Sequence, residues 1–360
     1  MNTQSIIFVA GRSGGHIIPA LTLAHTIKKN DPLAHIILIS TATPLDKQIM
    51  QEDDGSINQH HLIKLANVNF FNPLKLTVFL FQTTRAFIKS IRILRTAKPE
   101  RVIGMGGSLC IPVCFAAWCL RIPIELYDFD ARPGKATRFL ARYAQTIYLC
   151  FEQAKQYLPA DKCQLIEYPI RFDPALIAIS APVARAHLNL MPNKKTIFIN
   201  GGSQGSAFIN QCMKEWLELN PHLHSLIQVI HQTGNHNQQE WANFYKQAEI
   251  PAITFAYHHE MAPFYAAADV IICRAGAGSL FEALFFKKPC ITIPLETAST
   301  SHQRDNARAL AHQYPELITM LCQQEFKHDN MILFRPLNKY IYANPNAPHL
   351  YSSGKLVHMQ

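Results

Sequence analysis

The strongest constraint on this chain is a unit that recurs along it: a short apolar run, a glycine-bearing turn, then a helical stretch. It is clearest at residues 269–306, DVIICRAGAGSLFEALFFKKPCITIPLETASTSHQRDN. Val270 to Cys273 reads as a buried strand, and Ala275 to Gly278 as a small-residue turn. A helix opens at Ser279, and Cys290 to Ile293 returns as a second strand. Wholly apolar strands joined by a helix predict a parallel βαβ unit covered on both faces. Loops at the C-terminal ends of such strands are where α/β proteins take ligands. The turn gathers unpaired N–H groups and the positive end of a helix dipole, which suits a diphosphate. Glu282 lies one turn into that helix, and Gln303 arrives from the next loop. A carboxylate beside a diphosphate is unfavourable unless it serves another part of the ligand, such as ribose hydroxyls.

The same unit opens each half of the chain. IIFVA (6–10) feeds GRSGGH (11–16), with a helix starting near Pro19. KTIFIN (195–200) feeds GGSQGS (201–206). Between them RVIG (101–104) runs into Gly106-Gly107, and IELYD (124–128) into a polar loop closed by Arg132-Pro133-Gly134. The expected architecture is α/β: two doubly wound, Rossmann-like domains whose ligand loops face a shared cleft. At 360 residues there is room for both. The pattern breaks at IEYPIRFDP (166–174), so the expected domains are 1–167 and 168–324, with 325–360 an irregular tail.

Composition narrows the class. Hydrophobic residues make up 48% and charged residues 16%, which favours substantial cores over disorder. The net charge of +9 points to an anionic partner: a nucleic acid, a membrane surface or a phosphorylated substrate. Nine cysteines without a CxxC pair fit a reducing compartment. The N-terminal apolar run is five residues long and reads as a strand rather than a signal peptide. A cytoplasmic location is expected. The seventeen histidines form no convincing metal-ligand cluster, so no metal is expected.

Three local features carry two readings each. His16, with Arg12 and Ser13, sits where a ligand-facing group or a structural cap would sit. Asp128 and Asp130 are either acidic residues lining a cleft or caps of the next helix. Residues 55–99 hold no acidic side chain, and Lys64, Lys75, Arg85, Lys89, Arg92, Arg95 and Lys98 interleave with large apolar residues. That is either a solvated basic helix face or a segment lying on anionic lipid. Nucleic acid is disfavoured, because no recognition motif accompanies the basic stretch.

Taken together, SGGHIIPALTLA, IGMGGS, YPIR, NGGSQGSAFIN, HQTG and MAPFYAAADVIICRAGAGSLFEALFFKKPCITIPL with HQRDNA resemble the MurG family. These glycosyltransferases of the two-domain GT-B type move N-acetylglucosamine from UDP-N-acetylglucosamine to the undecaprenyl-pyrophosphoryl-muramoyl-pentapeptide lipid. The resemblance covers roughly residues 5–322 and implies a single inverting displacement without a cofactor. It implies catalytic roles for His16 and Asp128. Ser13, Gly14, Gly15, Gly106, Gly107, Asp130 and Arg171 would face the acceptor. On the donor side it implies Ser203, Gln204, Tyr257, His258, Ala277, Gly278, Ser279, Glu282 and Gln303, with Arg274 near the leaving diphosphate. The implied partners are a UDP-sugar, a polyprenyl-pyrophosphate-linked lipid and, through residues 64–98, the anionic cytoplasmic face of a membrane.

The departures fall on the acceptor side. Tyr127-Asp128-Phe129-Asp130 stands where the family shows His-Glu-Gln-Asn. Arg12 replaces a glycine, Ser13 a threonine, and Ser108 a common tyrosine. Another lipid acceptor, such as a diacylglycerol, or a non-catalytic UDP-sugar binder are the alternative readings.

Overall fold

The structure is a computed structural model. It describes residues 5–11, 14–43, 46, 50, 53, 55–65, 73–202, 205–234, 238–297, 301–327, 329 and 331–342. Among these, the first half holds strands β1 (Ser5–Ala10), β2 (His35–Ser40), β3 (Gln59–Leu62), β4 (Arg101–Gly104), β5 (Ile124–Asp128), β6 (Thr146–Leu149) and β7 (Cys163–Leu165). They form one parallel sheet in the order β3-β2-β1-β4-β5-β6-β7. Helices α1 (Gly14–Asn30), α2 (Pro73–Ala97), α3 (Cys110–Cys119) and α4 (Lys135–Leu140) accompany it.

The second half holds β8 (Lys195–Asn200), β9 (Ile227–Gln232), β10 (Ala252–Phe255), β11 (Val270–Cys273), β12 (Cys290–Thr292) and β13 (Ile318–Met320). Their order is β10-β9-β8-β11-β12-β13, again all parallel. With them go α5 (Ala181–His187), α6 (Ala207–Leu219), α7 (Gln238–Gln247), α8 (Ala262–Ala267), α9 (Ala277–Phe285), α10 (Ser301–Gln313) and α11 (Phe334–Tyr342).

The central strands are buried on both faces. Ile6 to Ala10 and Ile197 to Ile199 have no exposed surface. That is why these strands read as continuous apolar runs rather than alternating ones.

Strand order reverses between β1 and β4, and again between β8 and β11. At such a switch point the loops leaving two neighbouring strands diverge to opposite faces and open a crevice. The glycine loops after β1 and β4 share one switch point. The loop after β8 and the Ala275–Gly276 turn after β11 share the other.

Residues 166–174 follow β7, the last strand of the first sheet, and precede β8, the first of the second. Beyond them α5 is tied to the second half. Arg185 Nη2 donates to Asp269 Oδ2 at 2.6 Å, and Nε to the Ala267 carbonyl at 2.9 Å. Tyr168 fills the seam between the halves: it stacks on Phe281 (5.0 Å, 12°) and meets Phe129 edge-on (5.2 Å, 66°).

The stretch from 325 is not wholly irregular. Leu333, Leu337 and Ile341 recur every four residues and are buried with Trp216 and Ile293 in the core of the second half. Prolines and asparagines around α11 mask that spacing in the sequence. No helix among the described residues is long and apolar enough to cross a membrane.

Candidate active site

At the first switch point the two glycine loops touch main chain to main chain. Gly106 and Gly107 take φ of +98° and +83°, a region that L side chains rarely enter. A Cβ at Gly107 would lie 3.1 Å from Gly11 Cα, and one at Gly106 would lie 2.9 Å from His16 Nε2. Gly14 and Gly15 begin α1, and the His16 side chain folds back so that Nδ1 lies 2.9 Å from the Gly11 carbonyl. A carbonyl only accepts, so Nδ1 carries a proton, and whenever the ring is neutral Nε2 holds the lone pair. Arg12, Ser13, Ser203 and Gln204 lie outside the described residues.

At the second switch point α9 begins at Ala277 with Gly276 as N-cap, and no side chain caps it. A Cβ at Gly276 would meet nothing within 4 Å. The first N–H groups of Ala277, Gly278 and Ser279 have no intrahelical acceptor, the arrangement that can receive an anion. Gly278 is needed for a different reason: a Cβ there would lie 3.0 Å from the Tyr168 hydroxyl.

One turn along α9, Glu282 is 7% exposed. Arg171 Nε donates to its Oε1 at 2.9 Å, and the Tyr265 hydroxyl also bonds to it. Asn200 Nδ2 in turn donates to Tyr265 Oη at 3.0 Å. Arg171 Nη1 reaches the His259 carbonyl at 3.2 Å, tying in the 257–260 loop that carries Tyr257 and His258. Burial pulls the Arg171 pKa down, but the charge and hydrogen bond of Glu282 outweigh it and the net shift is upward. Arg171, implied on the acceptor side, is thus paired with Glu282, 111 residues away in sequence.

Two further side chains are already engaged. Gln303 Oε1 accepts the Leu295 N–H at 2.9 Å and pins the loop after β12. Arg274 donates from Nε to Ser206 Oγ (3.0 Å) and from Nη1 to Gln323 Oε1 (2.8 Å) and the Ile293 carbonyl (3.1 Å). Arg274 thus braces the glycine loop after β8 against the loop after β12.

Asp128 is 7% exposed and held by its own loop. It accepts the Asp130 N–H at 3.2 Å and the Gly134 N–H at 3.0 Å, and Thr137 bonds to it as well. Burial, then the neighbouring Asp130 carboxylate, push its pKa up to about 6 against the pull of those hydrogen bonds. These bonds tie Asp128 into the 128–137 loop, while the next helix has Gly134 as N-cap and no side-chain cap. Asp130 is placed differently again. Its Oδ1 accepts Asn306 Nδ2 at 2.8 Å, from α10 of the other half.

Tyr168, Tyr265, Asn200 and Asn306 join these networks without a role in the sequence reading. All four sit inside the quoted motifs, NGGSQGS, MAPFYAAAD, YPIR and HQRDNA, and motif membership is the signal that marks them. Among the described residues no group of three His, Cys, Asp or Glu could hold a metal ion.

Comparison with known proteins sets this geometry in context. The model of the glycosyltransferase family 28 N-terminal domain matches residues 6–149, and that of the family 28 C-terminal domain matches 196–332. The chain is 31% identical over 307 residues to a Myxococcus xanthus protein, covering 85% of this chain and 78% of the relative. That relative is named UDP-N-acetylglucosamine--N-acetylmuramyl-(pentapeptide) pyrophosphoryl-undecaprenol N-acetylglucosamine transferase. A Francisella tularensis protein of the same name is 31% identical over 343 residues, covering 94% and 90% of the two chains. The chain belongs to the MurG family.

The crystal structure of Acinetobacter baumannii MurG superposes with a TM-score of 0.64 at 23% identity, covering 96% of each chain, and so shares the fold.

Proposed function

We propose that this protein is a UDP-N-acetylglucosamine-dependent glycosyltransferase. It moves N-acetylglucosamine onto the undecaprenyl-pyrophosphoryl-muramoyl-pentapeptide lipid in peptidoglycan synthesis. One observation carries the reading: a chain 31% identical to transferases of that name over 85% of its length keeps an open, uncapped α9 N-terminus with a buried carboxylate one turn on.

In this reading the amides of Ala277 to Ser279 take the diphosphate. Glu282, oriented by Arg171 and Tyr265, takes the ribose hydroxyls, with Tyr257 and His258 beside the base and Gln303 beside the sugar. Ser203 and Gln204 complete the donor side. His16 Nε2 removes the proton of the acceptor hydroxyl as it attacks the anomeric carbon, and UDP leaves on the opposite face. Charge growing on the departing diphosphate is met by main-chain N–H groups that need no reorganisation. Gly14, Gly15, Gly106 and Gly107, with Ser13, shape the acceptor crevice, and Asp128 holds the loop beside it. The acceptor half is residues 1–167 and the donor half 168–324, to which α11 is added.

The enzyme works at a membrane surface. On α2, Ala86, Ser90 and Leu94 form a buried stripe, while Leu80, Phe81 and Ile88 are exposed. Rings continue across α3 towards α4: Phe87, Phe115, Trp118 and Tyr143 lie 5.0–5.8 Å apart in sequence of contact. Arg85 lies over Phe81, and Arg142 over Phe139 and Tyr143. Exposed aromatic rings interleaved with cations suit an anionic lipid interface.

Transfer of radiolabelled sugar from UDP-N-acetylglucosamine to the muramoyl lipid, with diacylglycerol as the competing acceptor, tests the reaction. Product on diacylglycerol alone would overturn the acceptor assignment.

A further inference from the structure

We propose that Asn306 and Asp130 are positioning residues that couple occupation of the donor turn to the placement of the acceptor-side loop. The proposal rests on the transfer reaction above and adds to it a link between the two substrate sites.

Asn306 has no exposed surface. Its Oδ1 accepts the Ala131 N–H at 2.7 Å. Its Nδ2 donates to Asp130 Oδ1 at 2.8 Å and to the Ala275 carbonyl at 3.3 Å. One amide therefore bonds to both halves: twice to the loop after β5, and once to the turn that opens α9. Water is excluded, so each bond left unmade costs about 1–3 kcal/mol.

The three bonds are unequal, and the weakest is the one open to change. The carboxylate bond is charge-assisted and short, and the Ala131 bond is shorter still. The bond to Ala275 is near the limit of hydrogen-bond length. The amide is thus held by the acceptor half and lightly engaged by the donor turn.

Ala275 precedes Gly276, the N-cap of the helix whose amides take the diphosphate. A diphosphate settling there draws on this turn and changes the one weak bond. The change passes through Asn306 to Asp130 and Ala131. From Asp130 it continues through the N–H given to Asp128, whose carboxylate also fixes Gly134. Donor binding is in this way transmitted to the whole 128–134 loop on the strand beside β4, next to the crevice of His16. The requirement at position 130 is an accepting oxygen, which aspartate and asparagine both supply.

Hydrogen exchange at the Ala131 amide reads the link directly, because its acceptor belongs to the other half. Saturating UDP-N-acetylglucosamine should slow exchange of the peptide holding Ala131 by about tenfold in the unaltered protein, equivalent to ~1.4 kcal/mol. Asn306→Ala should weaken donor binding by no more than about tenfold, lose that exchange response, and fall ~10–100-fold in kcat, the ~1.4–2.8 kcal/mol of a coupled contact. Asp130→Ala should lose a similar factor, Asp130→Asn should recover most of it, and the double alanine variant should be no worse than the poorer single. Donor binding without any change at Ala131, or additive losses in the double variant, would overturn the link while leaving the reaction standing. A parent that binds no UDP-N-acetylglucosamine would overturn both.

Discussion

Arg171 Nε lies 2.9 Å from Glu282 Oε1, joining the segment between the two sheets to the helix that opens the donor crevice. Arg171 keeps about a fifth of its side chain in contact with solvent and Glu282 about a tenth. Arg171→Met would leave the carboxylate buried without its counter-charge. A fully buried pair broken this way loses ~3–5 kcal/mol, and partial exposure reduces that here to about 2–3 kcal/mol in urea unfolding. Because Glu282 then loses its orientation, KM for UDP-N-acetylglucosamine should rise at least ~10-fold, the ~1.4 kcal/mol of one charge-assisted bond. KM for the lipid should hold. A rise confined to the lipid KM would return Arg171 to the acceptor side.

His16→Ala should cut kcat by ~10²–10⁴-fold, the usual span for a positioned general base. Donor affinity measured by calorimetry should stay within about twofold, because the His16 ring packs on the first-half loops. A kcat within about threefold of the parent would remove His16 from the chemistry.

Three glycines should respond differently to alanine. Gly106→Ala combines a φ of +98° with a Cβ 2.9 Å from His16 Nε2, so the ring must move. Its kcat should fall at least ~100-fold, as expected for a base misplaced by about an ångström. Gly278→Ala presses on the Tyr168 hydroxyl and should open the seam, seen as faster proteolysis between the halves. Gly276→Ala has an ordinary φ of −68° and open space, so its stability should stay within ~0.5 kcal/mol. Crowding of the diphosphate approach should instead appear as a higher donor KM.

Two buried groups should bend the pH dependence of stability in opposite senses. His231 bonds to Asn210 and Tyr245, and burial pulls its pKa down to about 3. Its stability is present above the unfolded value near 6.5 and is lost as pH falls, by up to ~1.4 kcal/mol per unit. Asp128, raised to about 6, behaves in reverse: its stability is present below the unfolded value of 3.8 and is lost as pH rises through 6. Between pH 4 and 6 the two nearly cancel. Urea unfolding across that range should show stability rising with pH in Asp128→Asn and falling with pH in His231→Gln. Parallel slopes in the two variants would contradict these assignments.

Membrane docking should depend on rings from two helices at once. Phe81 is 62% exposed and Trp118 48%. The double variant Phe81→Ser/Trp118→Ser should lose at least ~10-fold in binding to phosphatidylglycerol vesicles, given ~1.5 kcal/mol or more per buried large side chain. Binding should also weaken with salt. Unchanged co-sedimentation would place the contact elsewhere.

The sheets were legible because their central strands are buried on both faces and so are written as apolar runs. β3, with the sequence QHHL, was not: it pairs on one edge with β2 and carries no apolar signature. α11 escaped because three apolar positions among prolines and asparagines make a faint signal. At the site, local order showed the two glycine crevices and the α9 turn, since strand, turn and helix are contiguous there. The partners of Arg171, Asp130 and Arg274 are set by contacts spanning 49 to 176 residues. No periodicity encodes such contacts. Asp128 shows the complementary limit: no spacing in the sequence encodes its bonds to the Gly134 and Asp130 amides.

The seat of His16 is built from main chain: the Gly11 carbonyl beneath Nδ1, and Gly106 against Nε2, with Gly107 resting on Gly11. Main chain does not mutate. Substitutions nearby, such as Arg12, Ser13 and Ser108, can alter what the crevice admits while the ring stays where three glycines put it. This half of the protein can therefore change what it admits by drift without displacing the His16 ring.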